Sequence, residues 1–416
     1  MSNFIMAEQN SRVISGDDKI FGINKLAQDM AAKEGKDKVI NATIGSLLDD
    51  DGNLIVLSSI VDVLHDLAPV DYADYAPIAG VPAFLDKVKT AAFGPYVPEG
   101  YIEVIATPGG TGAIRNTIQN YSRRGDQVLT SDWYWSPYKT ISEEIERNLT
   151  TYSMFDDNGG FNVASLDEKM SEILEAQPGL VVLFNAPAHN PTGFSPSSDD
   201  WDKIVALLKS KAKDPAKKII FFIDIAYIDF AGNTEKSRAF MPKLSGLPEN
   251  VLVIFGFSMS KGYTVYGMRS GAMICLSSSK AVADEFKMVC MFSNRGTWSN
   301  GTRPAMVALV KIFNDPVLLE KVSAERAGYS AMLAERGAAF VSAATQSGIT
   351  TCPYDSGFFI TVLCENAEAV GKELQKDGIF TVPIGKGIRV AISAISAEAS
   401  KKVAVSMAAA IKKVNG

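Results

Sequence analysis

The chain has 416 residues, 47% hydrophobic and 21% charged, so it can bury a large core and lacks the composition of a disordered segment. Its 41 Lys and Arg against 47 Asp and Glu leave a formal net charge of −6, too mild and of the wrong sign for a surface that grips phosphate backbones, which excludes generic nucleic-acid binding. With only two histidines, His65 and His189, a multi-histidine metal cage is excluded and Ser-His-Asp chemistry has few routes.

The first residues, MSNFIMAEQNSRVISGDDKI, show no basic patch followed by an apolar run, and no stretch supplies about 18 uninterrupted apolar residues. Neither secretion nor a membrane span is expected, and a cytoplasmic location is. Short apolar runs then alternate with segments of helical period. IEVIAT before Pro108, QVLTSD from Gln127, VVLFNA from Val181, IIFFID from Ile219 and VLVIFGFS from Val251 read as strands. GTGAIRNTIQNYSRR, the stretch from Ser165 to Ala176 and SSDDWDKIVALLKSKA read as helices. Runs apolar on both faces predict a buried, mostly parallel sheet, and the alternation predicts a doubly wound α/β domain. From about Asn314 the texture turns to long Ala- and Glu-rich helix, followed by FFITVLC, IRVAIS and an amphipathic helix after Ser396, a smaller α+β domain. The first 50 residues fit neither rhythm and are expected to pack beside the C-terminal part. More than one domain is expected at this length, divided as an N-terminal segment 1–51, a large α/β domain 52–313 and a small domain 314–416. The four cysteines, Cys275, Cys290, Cys352 and Cys364, form no Cys-x-x-Cys pair and suit a reducing compartment.

Ligands of open α/β sheets bind at the carboxyl ends of strands, and several predicted strands deliver chemistry there. Pro108-Gly109-Gly110-Thr111-Gly112 turns a strand into a helix whose first N–H groups suit an anion, although a tight turn alone would also need glycine. Asp224 follows five bulky apolar residues, and a carboxylate buried there needs a cationic or protonated partner unless it emerges into water. Tyr227 lies three residues on. Ser258, Ser260, Lys261 and Arg269 cluster after another strand; each alone reads as a solvated loop residue, but as a set the hydroxyls and the guanidinium suit a phosphate, and a lysine desolvated beside cations can become a Schiff-base nucleophile. Asn190, between His189 and Pro191, is either part of a turn or a fixed hydrogen-bond donor. Trp133, Tyr134, Trp135 and Tyr138 are either core or a platform for a planar ring.

Taken in order, GGTGAIR at 109 to 115, AHNPTG at 188 to 193, DIAY at 224 to 227, SMSK at 258 to 261 with Gly267 and Arg269, and GIRVA at 387 to 391 resemble the class I/II aminotransferases, enzymes of fold type I dependent on pyridoxal 5′-phosphate. The likeness covers nearly the whole chain and is greatest to the aspartate/aromatic branch. NATIGSLLDDDGN from Asn41 resembles that branch's N-terminal active-site segment, and DYAPIAGVPAF from Asp74 its Tyr-x-Pro-Ile-x-Gly stretch. The resemblance implies a transaminase that moves the amino group of aspartate or an aromatic amino acid to a 2-oxo acid such as 2-oxoglutarate, by a ping-pong route through a lysine Schiff base.

It also implies roles. Lys261 binds the cofactor covalently and shuttles the proton, Asp224 pairs with the ring nitrogen, and Asn190 and Tyr227 bond the phenolic oxygen. Gly110, Thr111, Ser258, Ser260 and Arg269 hold the phosphate with Tyr75 of the neighbouring subunit, and Trp135 stacks on the ring. Arg389 clamps the substrate α-carboxylate, while Ile44 and Gly45 close over the substrate. Arg295, in RGTWSN at 295 to 300, is the candidate for a distal carboxylate across a homodimer. The sequence departs from the family's pattern at Gly109, where serine is common, and at Tyr138, which replaces a histidine. No metal, nucleic acid or membrane partner is expected. The alternative is another fold type I reaction, a lyase or decarboxylase, because cofactor-binding residues are shared. A pyridoxal-phosphate-sensing regulator would need a DNA-binding module, and no basic helix precedes Asp17.

Overall fold

The computed structural model describes residues 4–12, 18–233 and 236–415. Twelve strands are used below: β1 (Ile40–Asn41), β2 (Tyr101–Thr107), β3 (Gln127–Ser131), β4 (Asn148–Tyr152), β5 (Gly179–Asn185), β6 (Lys218–Asp224), β7 (Val251–Ser258), β8 (Gly271–Ser277), β9 (Phe359–Leu363), β10 (Ile379–Phe380), β11 (Val382–Ile384) and β12 (Gly387–Ala391).

The strand-helix alternation builds a seven-stranded sheet in the order β2-β8-β7-β6-β5-β3-β4. Strands β3 to β7 pair in parallel, whereas β8 runs antiparallel to both β2 and β7. All eight residues of β7 are buried, as expected for a strand covered by helices on both faces. One apolar layer holds Phe221, Phe255 and Trp201; the layer on the other face holds Phe222, Ile254 and Phe286. Helices Gly109–Tyr121, Val163–Ala176 and Ser198–Lys211 stand where the sequence predicts them. The last starts on a capping box in which Ser197 and Asp200 bond each other's backbone N–H groups, worth about 1 kcal/mol.

The sequence reading passes over β4 and β8. GAMICLS of β8 lies between a Gly-rich turn and a helix, and its reversal has a consequence for the site. Because β8 is antiparallel, its amino end, preceded by Arg269, sits at the edge where the parallel strands end, with Ser258 and Thr107 both in register with Gly271.

The C-terminal part carries the antiparallel sheet β11-β12-β9, and β1 pairs in parallel with β10. Ala42 thereby joins an apolar cluster with Ile360, Ile388, Val390 and Val403. The helix Pro316–Gln346 serves two cores: Val322 belongs to the cluster of the large sheet and Phe340 to that of the small one. Thr361 of β9, opposite Arg389 of β12, donates a hydrogen bond to the Pro191 carbonyl at 2.8 Å and ties the small sheet to the loop after β5. All four cysteines are buried thiols. Among the described residues no helix is long and apolar enough to cross a membrane, and no three His, Cys, Asp or Glu are grouped to hold a metal.

Candidate active site

The carboxyl ends of β2, β5, β6 and β7 surround a cavity of about 160 Å³ lined by Gly110, Thr111, Trp135, Asn190, Asp224, Tyr227, Ser258, Ser260, Lys261 and Arg269, with Asn185 and Tyr266 among the remaining wall. Ten residues that the sequence reading assigned to a cofactor thus face one space.

One end of the cavity is cationic and rich in N–H groups. Gly109, at φ +67°, turns the chain from β2 into the helix Gly109–Tyr121, and a Cβ there would stand 3.0 Å from the Arg269 guanidinium. Ser258 caps the short helix Met259–Gly262, its Oγ accepting from the Ser260 N–H at 3.2 Å. Arg269 is held in the left-handed region and donates to the Tyr266 carbonyl at 2.9 Å and to Ser260 Oγ at 3.4 Å. A helix N-terminus, two hydroxyls and a fixed guanidinium fit a phosphate dianion.

The middle carries Asp224. Burial pushes its carboxyl up from the usual range; Tyr138, the Ala226 N–H and Lys261 pull it back. Tyr138 Oη donates to Asp224 Oδ2 at 2.8 Å, and the Ala226 N–H donates to Oδ1 at 3.1 Å. Tyr138 is itself buried, its phenol held well above its ordinary range by burial and then by Asp224, so it stays a neutral donor. Tyr138, at the position where the sequence departs from the family's histidine, therefore supplies a hydrogen bond to the carboxylate. Trp135 stands edge-on to Tyr138, ring centroids 5.8 Å apart. Asn185 accepts from the Asn190 N–H at 2.7 Å and donates to the Asp224 carbonyl at 2.9 Å, fixing both backbones.

The far end is assembled from distant segments. Arg389, 4% exposed, donates to Asn190 Oδ1 at 3.3 Å and to the Thr43 carbonyl at 2.6 Å, and packs over the Phe359 ring at 4.5 Å. Burial lowers its pKa to about 10, and its Nε finds no partner. A buried guanidinium with an unbonded N–H fits a carboxylate ligand. Asn190 Nδ2 stands 3.5 Å from the Tyr227 hydroxyl, whose pKa burial raises. Lys261 donates to the Gly45 carbonyl at 2.8 Å. Burial, then Arg389 and Arg269, lower its pKa to about 7, against the pull of Asp224.

Ile44 faces a separate cavity beside the helix Lys19–Glu34. Tyr75, 82% exposed, and Arg295, which donates to Ser299 Oγ at 2.7 Å on the end of the helix Lys280–Thr297, do not line the cavity of their own chain. His189 is buried beside Thr192 Oγ1 at 2.9 Å, and burial lowers its pKa to about 3. It is a neutral packing residue. Sequence reasoning missed Asn185, Tyr266 and Thr43. Asn185 carried a signal, a polar residue closing an apolar strand beside Asp224; Thr43 acts through its carbonyl, which no side-chain motif records.

A buried lysine of lowered pKa, set among a buried aspartate, a pocket of N–H groups, hydroxyls and a guanidinium, and a buried arginine at the strand ends of this sheet, fits a pyridoxal-phosphate-dependent transaminase of fold type I. The family described as aminotransferase class I and II matches residues 37–406, and the chain belongs to it. An aminotransferase from Anaerococcus prevotii is 40% identical, with a TM-score of 0.96 over 98% of this chain and 100% of its own. A mitochondrial aspartate aminotransferase from Trypanosoma brucei is 25% identical, with a TM-score of 0.77 over 93% of this chain and 99% of its own. The mitochondrial aspartate aminotransferase of Xenopus tropicalis is 27% identical over 308 residues, 71% of this chain and 68% of that protein.

Proposed function

We propose that this enzyme transfers the amino group of aspartate or an aromatic amino acid to a 2-oxo acid such as 2-oxoglutarate, with the site residues in the roles below. The observation that carries this reading is that Lys261, Asp224 and Arg269 line one cavity while Arg389 is hydrogen-bonded to Asn190 of its wall, one group each for carbonyl chemistry, ring protonation, phosphate and carboxylate. When bound, pyridoxal phosphate supplies the electron sink that stabilises a negative charge at the substrate α-carbon. Gly110, Thr111, Ser258, Ser260 and Arg269 hold its phosphate, Trp135 covers the ring, and Asp224, oriented by Tyr138, keeps the ring nitrogen protonated. Asn190 and Tyr227 bond the ring's phenolic oxygen. Arg389 orients the substrate by its α-carboxylate, so that the α-carbon proton faces Lys261. With a pKa near 7 the Lys261 amine is uncharged in a substantial fraction of molecules at neutral pH, so it can attack a carbonyl and afterwards accept and return the proton. Gly45, whose carbonyl meets Lys261, excludes water from above, and Ile44, which faces a separate cavity here, joins it when the segment moves.

The same reading makes the enzyme a cytoplasmic homodimer. Tyr75 and Arg295 stand outside their own cavity and serve the partner's, Tyr75 at the phosphate and Arg295 at a distal carboxylate. The exposed Met288 and Phe292, one turn apart on the helix Lys280–Thr297, support a self-association surface. We divide the chain at 51 and 313, with the helix Pro316–Gln346 as the connection on which the small domain moves.

The test is the visible spectrum of the holoenzyme. A yellow band that aspartate removes and 2-oxoglutarate restores supports the dicarboxylate reading; a band that responds only to phenylalanine moves Arg295 out of it. No response to either donor would overturn transamination of these substrates.

A further inference from the structure

The segment Thr43–Leu47 is tied over the cavity by three polar bonds: the Thr43 carbonyl accepts from Arg389, the Gly45 carbonyl accepts from Lys261 at 2.8 Å, and the Leu47 N–H donates to the Tyr266 hydroxyl at 3.0 Å. Two of these use groups that catalysis claims. Arg389 must turn to a carboxylate, and Lys261 must give up Gly45 whenever its amine is committed elsewhere. The third uses neither of them.

Tyr266 is built for that separate task. It lies in the one-turn helix Tyr266–Met268, five residues after Lys261, and its ring centroid is 4.7 Å from Lys261 Nζ. Its carbonyl takes the Arg269 guanidinium, so its backbone is fixed by the phosphate end of the site. Burial pushes its phenol up to about 12, which leaves the hydroxyl neutral across the working pH range. Leu47, fully buried against Ile55, Tyr227, Phe358 and Phe359, spends its carbonyl on the Ile55 N–H, so the bond to Tyr266 is what satisfies its N–H. Gly45 lies so close to Phe359 that a Cβ would come within 2.4 Å of that ring, and the segment has little room to settle elsewhere.

We propose that Tyr266 is a positioning residue whose hydroxyl keeps the Thr43–Leu47 segment seated over the cavity while Lys261 and Arg389 exchange that segment for ligands. This rests on the reading of Ile44 and Gly45 as the cover of the substrate. The test is Tyr266→Phe in the holoenzyme, a change that keeps the ring beside Lys261 and the carbonyl beneath Arg269. The Leu47 amide should exchange with deuterium about tenfold faster, as expected for one lost hydrogen bond. KM for the amino donor should rise about three- to tenfold with kcat within about twofold, since a loosened cover weakens binding without touching the reacting atoms. The visible band and cofactor retention should not move. Unchanged Leu47 exchange, or a fall in kcat at constant KM, would overturn the proposal. Faster exchange with KM unchanged would also overturn it, because the tether would then not reach the substrate. Absence of the visible band in the unsubstituted enzyme would instead strike the functional reading, which the exchange measurement does not depend on.

Discussion

The two ends of the cavity are built in opposite ways. The end proposed for the phosphate and ring hangs on the termini of neighbouring strands: Gly110 and Thr111 follow β2, Asp224 closes β6, Ser258 closes β7, and Arg269 leads into β8, all at or beside the ends of one hydrogen-bonded ladder. The end proposed for the substrate carboxylate joins residues 43–47, 190, 359 and 389, from four separate segments of the chain, and two of its bonds end on backbone carbonyls. A sheet edge fixes groups to within the tolerance of its ladder, which suits a cofactor that stays. An assembly of segments can part and re-form, which suits substrates that come and go.

The comparison breaks first at Lys261, where the two ends meet. Lys261→Ala should abolish transamination, a loss of more than about 10⁴-fold in kcat, while the phosphate cradle still retains cofactor. Activity assays and equilibrium dialysis check both halves; loss of cofactor together with activity would show that the cradle is not independent. The same lysine sets a pH dependence. Its folded pKa, about 7, lies below the usual 10.5. Below about pH 7 it is charged in both folded and unfolded states, and the burial cost is fully present. Between about 7 and 10.5 the unfolded chain binds the proton that the folded one lacks, so the cofactor-free protein gains stability as pH rises. Urea unfolding at pH 7 and 9.5 should show that gain shrink in Lys261→Met; an equal gain would refute the assignment.

Next in size is Arg389→Ala. Removing a buried guanidinium that pairs with a carboxylate costs about 2–5 kcal/mol, so kcat/KM for the amino donor should fall roughly 30- to several-thousand-fold, with the visible band intact. If cofactor retention fell equally, the separation of the two ends would be wrong.

How much of this was legible in the sequence follows the same division. The strand ends were readable because each puts its chemistry into a few contiguous residues after an apolar run: Asp224 after IIFFID, Ser258 to Lys261 after VLVIFGFS, Gly110 and Thr111 after IEVIAT. β8 was not, although GAMICLS is as apolar as its neighbours, because it breaks the parallel alternation: it turns straight back on β7 and also pairs with β2 from far back in the chain, and only the assembled sheet shows that this brings Arg269 to the site. Arg389 was readable only through the resemblance carried by GIRVA, since an arginine in a strand has no local signal of burial. The carbonyls of Thr43 and Gly45 leave no trace in side-chain patterns at all. Tyr138 stood out as a departure, but its meaning required the 2.8 Å contact with Asp224.

That contact gives the smallest expected effect and the sharpest test of the rigid end. Tyr138→Phe keeps the ring against Trp135 and removes only the hydroxyl. Asp224 Oδ2 would lose its donor while Oδ1 keeps the Ala226 N–H. A hydrogen bond to a charged acceptor is worth about 1.5–3 kcal/mol, so a fall in kcat of about tenfold or somewhat more is expected. The sign of the pH effect follows from the groups around the carboxylate. Burial already pushes Asp224 up, and Tyr138 is the foremost of the influences holding it down. Without the phenol the carboxyl pKa rises, the ring nitrogen loses its anionic partner at a higher pH, and the acid limb of the kcat profile moves upward. An acid limb that stayed in place would mean that Tyr138 only fills space, and that the edge of the sheet holds Asp224 without help.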